Sequence, residues 1–161
     1  MLVKETNLIM KAKDFQSSFL SCPKDIEEIL RKLFLSSKPF SDDLKRLLVI
    51  NTKDCLDNKT EPLYNQKINA MSLAKLRYDG YIKLEPKIKI PEHEEVKSYI
   101  IISVDNFMPN ANNPYYLDYT ISFDIISNLD YWDIGNFRLR PLMIASYIDG
   151  ILNGSRLSGI G

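Results

Sequence analysis

Histidine occurs once in these 161 residues, cysteine twice and glycine six times, and each scarcity removes a class of chemistry. A single imidazole, His93, cannot build a multi-histidine metal site, and any Ser/His/Asp or Cys/His triad would have to use it. It sits among Glu92, Glu94 and Glu95, where a solvated charged turn is the simpler reading. Cys22 and Cys55 lie in different segments without Cys-x-x-Cys spacing, so neither a zinc knuckle nor a redox pair is expected. Two free thiols in a reducing cytoplasm fit better. Gly154, Gly159 and Gly161 match neither a phosphate-loop nor a dinucleotide fingerprint. Net charge is also missing: 21 basic residues balance 21 acidic ones. That leaves no large positive field for non-specific nucleic-acid binding. The opening Met-Leu-Val-Lys-Glu-Thr-Asn carries charge where a signal peptide needs an apolar core, and no apolar run reaches membrane-span length. A soluble, cytoplasmically made protein without catalytic residues, metal or cofactor is the expectation.

What is present is a framework. A chain of this length holds one core and is short for two domains, so residues 1–161 are read as a single domain. Its organising stretch is Tyr115 to Ser127. Tyr115, Leu117, Tyr119, Ile121, Phe123 and Ile125 alternate with the polar Asp118, Thr120, Ser122 and Asp124, the pattern of an antiparallel strand with one buried face. At about 1.5–3 kcal/mol per buried large side chain, that face would supply on the order of 10 kcal/mol of gross burial, more than any other segment.

Taken in order, residues 1–20 read as an arm without sustained period. Ser21 or Cys22 can cap a helix with Pro23 in its first turn and Ile26, Ile29, Leu30, Leu33 and Phe34 on one face. Ser36 to Phe40 breaks it. Ser41 then resembles a second cap, before Leu44, Leu47 and Leu48. Asn51 to Gln66, with Asp57-Asn58-Lys59 and Pro62, reads as an exposed loop, Ser72 to Leu76 as a short helical turn, and Asp79-Gly80 as a turn. Residues 1–79 are thus the helical portion, and 80–161 the sheet and its helix. Tyr81 to Ile90 alternates again but is interrupted by Pro86, which favours an edge strand. After a turn at Pro91 to Glu95, the contiguous Ile100, Ile101 and Ile102 mark Val96 to Phe107 as a central strand covered on both faces. Met108 to Pro114 makes the tip of a long hairpin. Asn136 can cap a closing helix presenting Phe137, Pro141, Ile144, Ala145, Ile148, Ile151 and Leu152, although Pro141 favours a later start or a bend. Asn153-Gly154 stops that helix, and Ser155 to Gly161 reads as the lead-in to a further strand. The fold class is α+β: a mainly antiparallel sheet with a long hairpin, packed by a C-terminal amphipathic helix and N-terminal helices.

Three surfaces stand out as candidate subunit interfaces. They are the lysine-lined edge at Lys83, Lys87 and Lys89, the hairpin tip with Met108, Asn110 and Asn112, and the loop carrying Tyr131, Trp132 and Asp133. Alternating lysines also protect an edge strand from stray pairing. Aromatics with an acidic rim suit an interface anchor, and equally a lid folded over the protein's own core. One enzymatic alternative exists: Asp79 with Glu85-Pro86-Lys87 is similar to the Asp…Glu-x-Lys arrangement of restriction-type, metal-dependent nucleases. A surface ion pair on an edge strand accounts for the same residues. A generic α/β interaction module is a third option.

The order of hairpin, loop and closing helix over residues 80–161 resembles the tail-terminator and tail-completion proteins of tailed bacteriophages and related contractile particles. The resemblance is carried by Ser98-Tyr-Ile-Ile-Ile-Ser-Val104, Asp118-Tyr-Thr-Ile-Ser-Phe-Asp124 and Met143-Ile-Ala-Ser-Tyr-Ile-Asp149. It implies a non-enzymatic virion protein of the neck or tail end, assembled in the host cytoplasm. Such a subunit forms a ring, a hexamer, that ends the tail tube and offers a surface to the head-side connector. Its partners would be copies of itself, the tail tube protein and the connector, with no membrane and with nucleic acid only as DNA passing through the ring. A head-closure subunit of the same junction is the nearest variant.

Overall fold

The computed structural model describes residues 22–35, 39–84, 97–113 and 117–153. Outside them lie the arm at 1–20, Glu85 to Val96 with Lys87, Lys89 and His93, Tyr115, and the lead-in at 155–161. Helix α1 spans residues 22–35. Its buried Ile29, Leu30, Leu33 and Phe34 follow the expected helical spacing. On its wet side Arg31 reaches Glu27 at 2.8 Å, an exposed pair worth at most about 0.5 kcal/mol.

Helix α2, Pro39–Val49, buries Leu44, Leu47, Leu48 and Val49 completely. Ser41 is not its cap. The helix begins two residues earlier, at Pro39, and the buried Ser41 hydroxyl donates instead to the Leu33 carbonyl of α1 at 2.7 Å. One of the carbonyls that α1 leaves open at its end is thereby satisfied.

The loop expected across Asn51 to Gln66 is corrected. Successive turns bury Cys55 and Leu56, and helix α3, Pro62–Asn69, starts with the proline that reads as turn chemistry. Only Ile68 of α3 is buried, so the helix lacks a visible apolar period. Polar contacts hold it: Arg46 of α2 donates to Asn65, and Tyr64 lies 3.2 Å from both Thr52 and Asp54. Lys59 in turn pairs with Asp43 of α2 at 2.8 Å.

Helix α4, Leu73–Tyr78, is capped by Ser72, whose hydroxyl accepts from the Lys75 amide at 3.2 Å. It ends where Gly80 takes φ +75°, with Gly80 and Tyr81 amides donating back to Arg77 and Leu76. That double return is the Schellman arrangement, which needs a left-handed residue just past the cap.

Strands β1 (Ile82–Leu84), β2 (Tyr99–Pro109) and β3 (Leu117–Ile126) form a sheet in the order β1-β2-β3. The central position of β2 is as expected, and Tyr99 to Ser103 are all buried. Strands β2 and β3 form the antiparallel hairpin, from Tyr99 opposite Ile126 to Pro109 opposite Leu117. A register shift lies between Asp105 and Met108, where Asn106 adopts φ +56°. Strand β1, by contrast, runs parallel to β2, with Ile82 opposite Ile100, and the turn read at Pro91 to Glu95 lies outside the described residues.

The inner face of the sheet sets Ile82, Ile100 and Ile102 beside Ile121, Phe123 and Ile125 against the helices. The alternation read in β3 therefore points the right way but buries less than expected. Its apolar residues are only half-buried, and the most enclosed side chains belong to β2 and the helices. Leu117 and Tyr119 lie towards the outer end of the hairpin, with Tyr119 against Phe107 and its hydroxyl donating to Asp25 of α1.

Helix α5 spans Arg140–Leu152 and not 136 onwards, as Pro141 in its first turn requires. Pro141, Ile144, Ile148 and Ile151 are buried while Ala145 is exposed. The helix packs on α2, where Tyr147 stacks on Phe40 with ring centroids 5.4 Å apart.

Candidate subunit-interface surface

The chain leaves β3 through Asn128, whose side chain accepts from the Asp130 amide at 2.8 Å and starts a single 3-10 turn, Leu129–Tyr131. Trp132 follows. Asp133 then bridges to Leu139 and closes a tight loop, inside which the Ile134 amide donates to Arg138 O at 3.0 Å. Ile134 points inward and is buried, anchoring the loop in the core. At the tip, Gly135, Asn136 and Phe137 have φ of +80°, +51° and +59°. Glycine and asparagine tolerate this region; a phenylalanine there costs on the order of 1 kcal/mol or more. Phe137 is fully exposed all the same. Leu129 at 82%, Leu142 at 64% and Trp132 at 38% relative exposure extend the apolar character along the same segment. Polar neighbours Asp130 and Asp133 supply a rim, and the Asp133 carboxylate also accepts from the Gly135 amide at 2.8 Å.

Exposed aromatics on a loose loop would mean little, but this loop is braced. Arg140, at the first position of α5, is completely buried. Its guanidinium donates to Leu47 O at 2.6 Å, Ile50 O at 2.9 Å, Thr52 O at 2.7 Å and Tyr131 O at 2.9 Å. Two of these carbonyls end α2, where the helix dipole favours a cation. Burial pushes the Arg140 pKa down, partly offset by the neighbouring Cys55. Burial likewise pushes the Cys55 thiol up. A second tie is peripheral: Arg138 grips Asp57 with both carboxylate oxygens, at 2.8 and 2.7 Å. The end of α2, the 52–57 turns, the aromatic loop and the start of α5 thus converge on two arginines.

The hairpin tip is ordered differently. Asn110 accepts from the Asn112 and Asn113 amides at 2.9 and 3.0 Å while its amide group donates to Asp118. Met108 and Phe107 stand exposed beside it. A model of the YomW family matches residues 41–161, a span that takes in most of α2, all of α3 to α5 and all three strands. The chain belongs to the YomW family. That membership makes it a phage-associated protein. No curated protein and no solved structure matches it.

Of the candidate residues of this YomW-family chain, Tyr131, Trp132 and Asp133 share the braced loop, and Met108, Asn110 and Asn112 share the hairpin tip. Lys83 is half-buried on β1 with its ammonium 4.4 Å from the centre of the Tyr99 ring, so it packs as well as charges its edge. Lys87 and Lys89 lie outside the described residues, as do Glu85 of the nuclease arrangement and His93. Asp79 is the C-cap of α4, and its carbonyl accepts from Lys97 at 2.8 Å. Among the described residues no group of three or more His, Cys, Asp or Glu side chains could hold a metal, and no helix is long and apolar enough to cross a membrane. Cys22 and Cys55 are free and buried.

Sequence reasoning missed Arg140 and misplaced Phe137. The signal for the first was a lone charge entering an otherwise apolar helical stripe. For the second it was Gly135-Asn136 ahead of Pro141, which fits a left-handed turn better than a cap.

Proposed function

We propose that this protein is a structural component of a phage particle, a ring-forming subunit at the head-tail junction or tail end that terminates the tail tube and meets the head-side connector. The observation that carries the proposal is the braced loop. Large apolar side chains stand in water on a backbone tied to the buried Arg140 through Tyr131 O and Trp132 O, with an acidic rim. Monomeric proteins seldom keep such groups exposed without a partner to cover them. Membership of a phage-associated family and the α+β core with its long hairpin and closing helix agree with this role. A head-closure subunit of the same junction would use the same surface.

The test is the mass of the purified protein in solution, by light scattering and native mass spectrometry, with negative-stain imaging. A closed ring of discrete size is expected, and Trp132→Ala should abolish it while leaving circular dichroism unchanged. A persistent monomer at high concentration would remove the ring role, and divalent-metal-dependent DNA cleavage by that monomer would favour the nuclease chemistry of Asp79, Glu85 and Lys87.

A further inference from the structure

An apolar groove runs between α1, α4 and β1, lined by Ile26, Leu30, Leu35, Leu73, Arg77 and Leu84. Its volume is about 690 Å³. Pockets of about 300–1,000 Å³ take up a drug-sized group, comparable to two or three large side chains. Leu35 and Leu84 are substantially exposed in it, at 52% and 39%. The α4 flank is basic: Arg77 is exposed and forms no ion pair among the described residues, whereas Glu27 on the α1 flank is neutralised by Arg31. Arg31 also reaches the groove but is already paired with Glu27.

We infer that this groove receives the Trp132–Phe137 loop of a second copy of the chain, an inference that rests on the ring reading above. The loop is convex and apolar with acidic flanks, Asp130 and Asp133; the groove is concave and apolar with a basic flank. The Asp130 carboxylate is exposed and unpaired among the described residues, so it is available to Arg77 of a neighbour. The two surfaces differ in shape and in sign of charge, and they sit on different elements. A contact between them is head-to-tail, the type that closes into a ring when the rotation per subunit allows, whereas a two-fold dimer would need one self-complementary patch. Opposite charges flanking an apolar plug also fix its register in the groove.

The experiment is cysteine cross-linking on the full chain. Ala74 lines the groove and Phe137 forms the loop tip, and both are exposed. The native Cys22 and Cys55 are buried with raised pKa values, so they contribute little background. Ala74→Cys combined with Phe137→Cys should give a ladder of disulfide-linked oligomers under mild oxidation, and neither single variant should. A second arm uses charge: Arg77→Glu and Asp130→Arg should each raise the concentration of half-assembly by about tenfold, and their combination should recover most of it. Rings that form without cross-links and without charge rescue overturn the groove contact while leaving the ring intact. A wild-type protein that stays monomeric overturns both.

Discussion

Arg140→Met removes the guanidinium at the centre of the brace while roughly conserving length and volume. Four carbonyls lose their donor. Those of Leu47 and Ile50 are bonded in fully buried surroundings, and those of Thr52 and Tyr131 in partly buried ones that water can enter. A buried acceptor left unsatisfied costs about 1–3 kcal/mol, so the two buried carbonyls cost about 2–6 kcal/mol. Relief of the arginine's own desolvation offsets about 1 kcal/mol of that, leaving a net loss of about 1–5 kcal/mol. A domain of this size is stable by about 5–15 kcal/mol, so the variant should still fold. Its melting temperature should drop by about 10 °C, at about 2–4 °C per kcal/mol. Arg140→Lys keeps the charge but offers three donors from one point to four spread carbonyls, and should fall between the two. Urea and thermal unfolding followed by circular dichroism measure the loss. The fluorescence of Trp132, the sole tryptophan, reports on the loop itself. If Arg140→Met unfolds within about 1 kcal/mol of wild type, the bonds to these carbonyls are replaceable by water and the loop is not braced as argued.

Three further predictions concern the tip, the sheet and the thiols. Phe137→Gly relieves the left-handed backbone and should raise stability by about 0.5–1 kcal/mol while weakening assembly; a loss of stability would assign Phe137 to the protein's own packing. Ile102→Asp places an unpaired charge on the inner face of β2 and should abolish folding, whereas Leu117→Asp, half-exposed at the outer end of β3, should cost about 1 kcal/mol or less. Equal damage from the two in expression and melting assays would contradict the observed register. For Cys55, burial raises the folded pKa above its ordinary value of 9.0. The unfolded chain then releases its proton first, so the stability this thiol contributes is intact below about pH 9 and is lost as pH rises through the folded pKa. Urea midpoints should fall between pH 8 and 10, and Cys55→Ala should flatten that slope even though it lowers the midpoint at pH 7; an unchanged slope would place the alkaline loss elsewhere, for example at Tyr81 or Tyr147, which burial also raises.

Where one face of an element meets one core, the residues announce it. Ile29, Leu30, Leu33 and Phe34 of α1, and the paired isoleucines of β2, are legible because burial alone decides their spacing. The short helical turn from Ser72 and the turn at Asp79-Gly80 are legible because backbone chemistry at helix ends is local. Helix α3 is not, since it is held by Arg46 of α2 reaching Asn65 and by its own Tyr64 reaching Thr52 and Asp54, and such pairs leave no period. Direction of pairing is equally hidden: Ile82 opposite Ile100 reads the same whether the strands run together or apart. The aromatic loop was legible as a candidate site through Trp132 and its aspartates. Its rigidity was not, because Arg140 donates to carbonyls at Leu47, Ile50 and Thr52, far from the loop in sequence, as well as to Tyr131.

In the proposed ring, that rigidity is what makes the exposed apolar surface usable as a contact. Ordering a side chain at an interface costs about 0.5–1.5 kcal/mol, and a mobile loop would lose more in backbone freedom. Here the cost is met on folding, when Arg140 and Ile134 fix the loop, so the proposed association needs only to exclude water from Phe137, Trp132 and Leu129. The left-handed backbone at Phe137 has the same logic: strain accepted in the folded chain leaves an aromatic ring exposed where a relaxed turn would let it fold back. Both arginine ties, to the end of α2 and to Asp57, lie within the residues matched by the YomW family. The loop and the helix that braces it therefore form one unit, and perturbing the buried end of α2 should alter assembly through the loop without touching the surface.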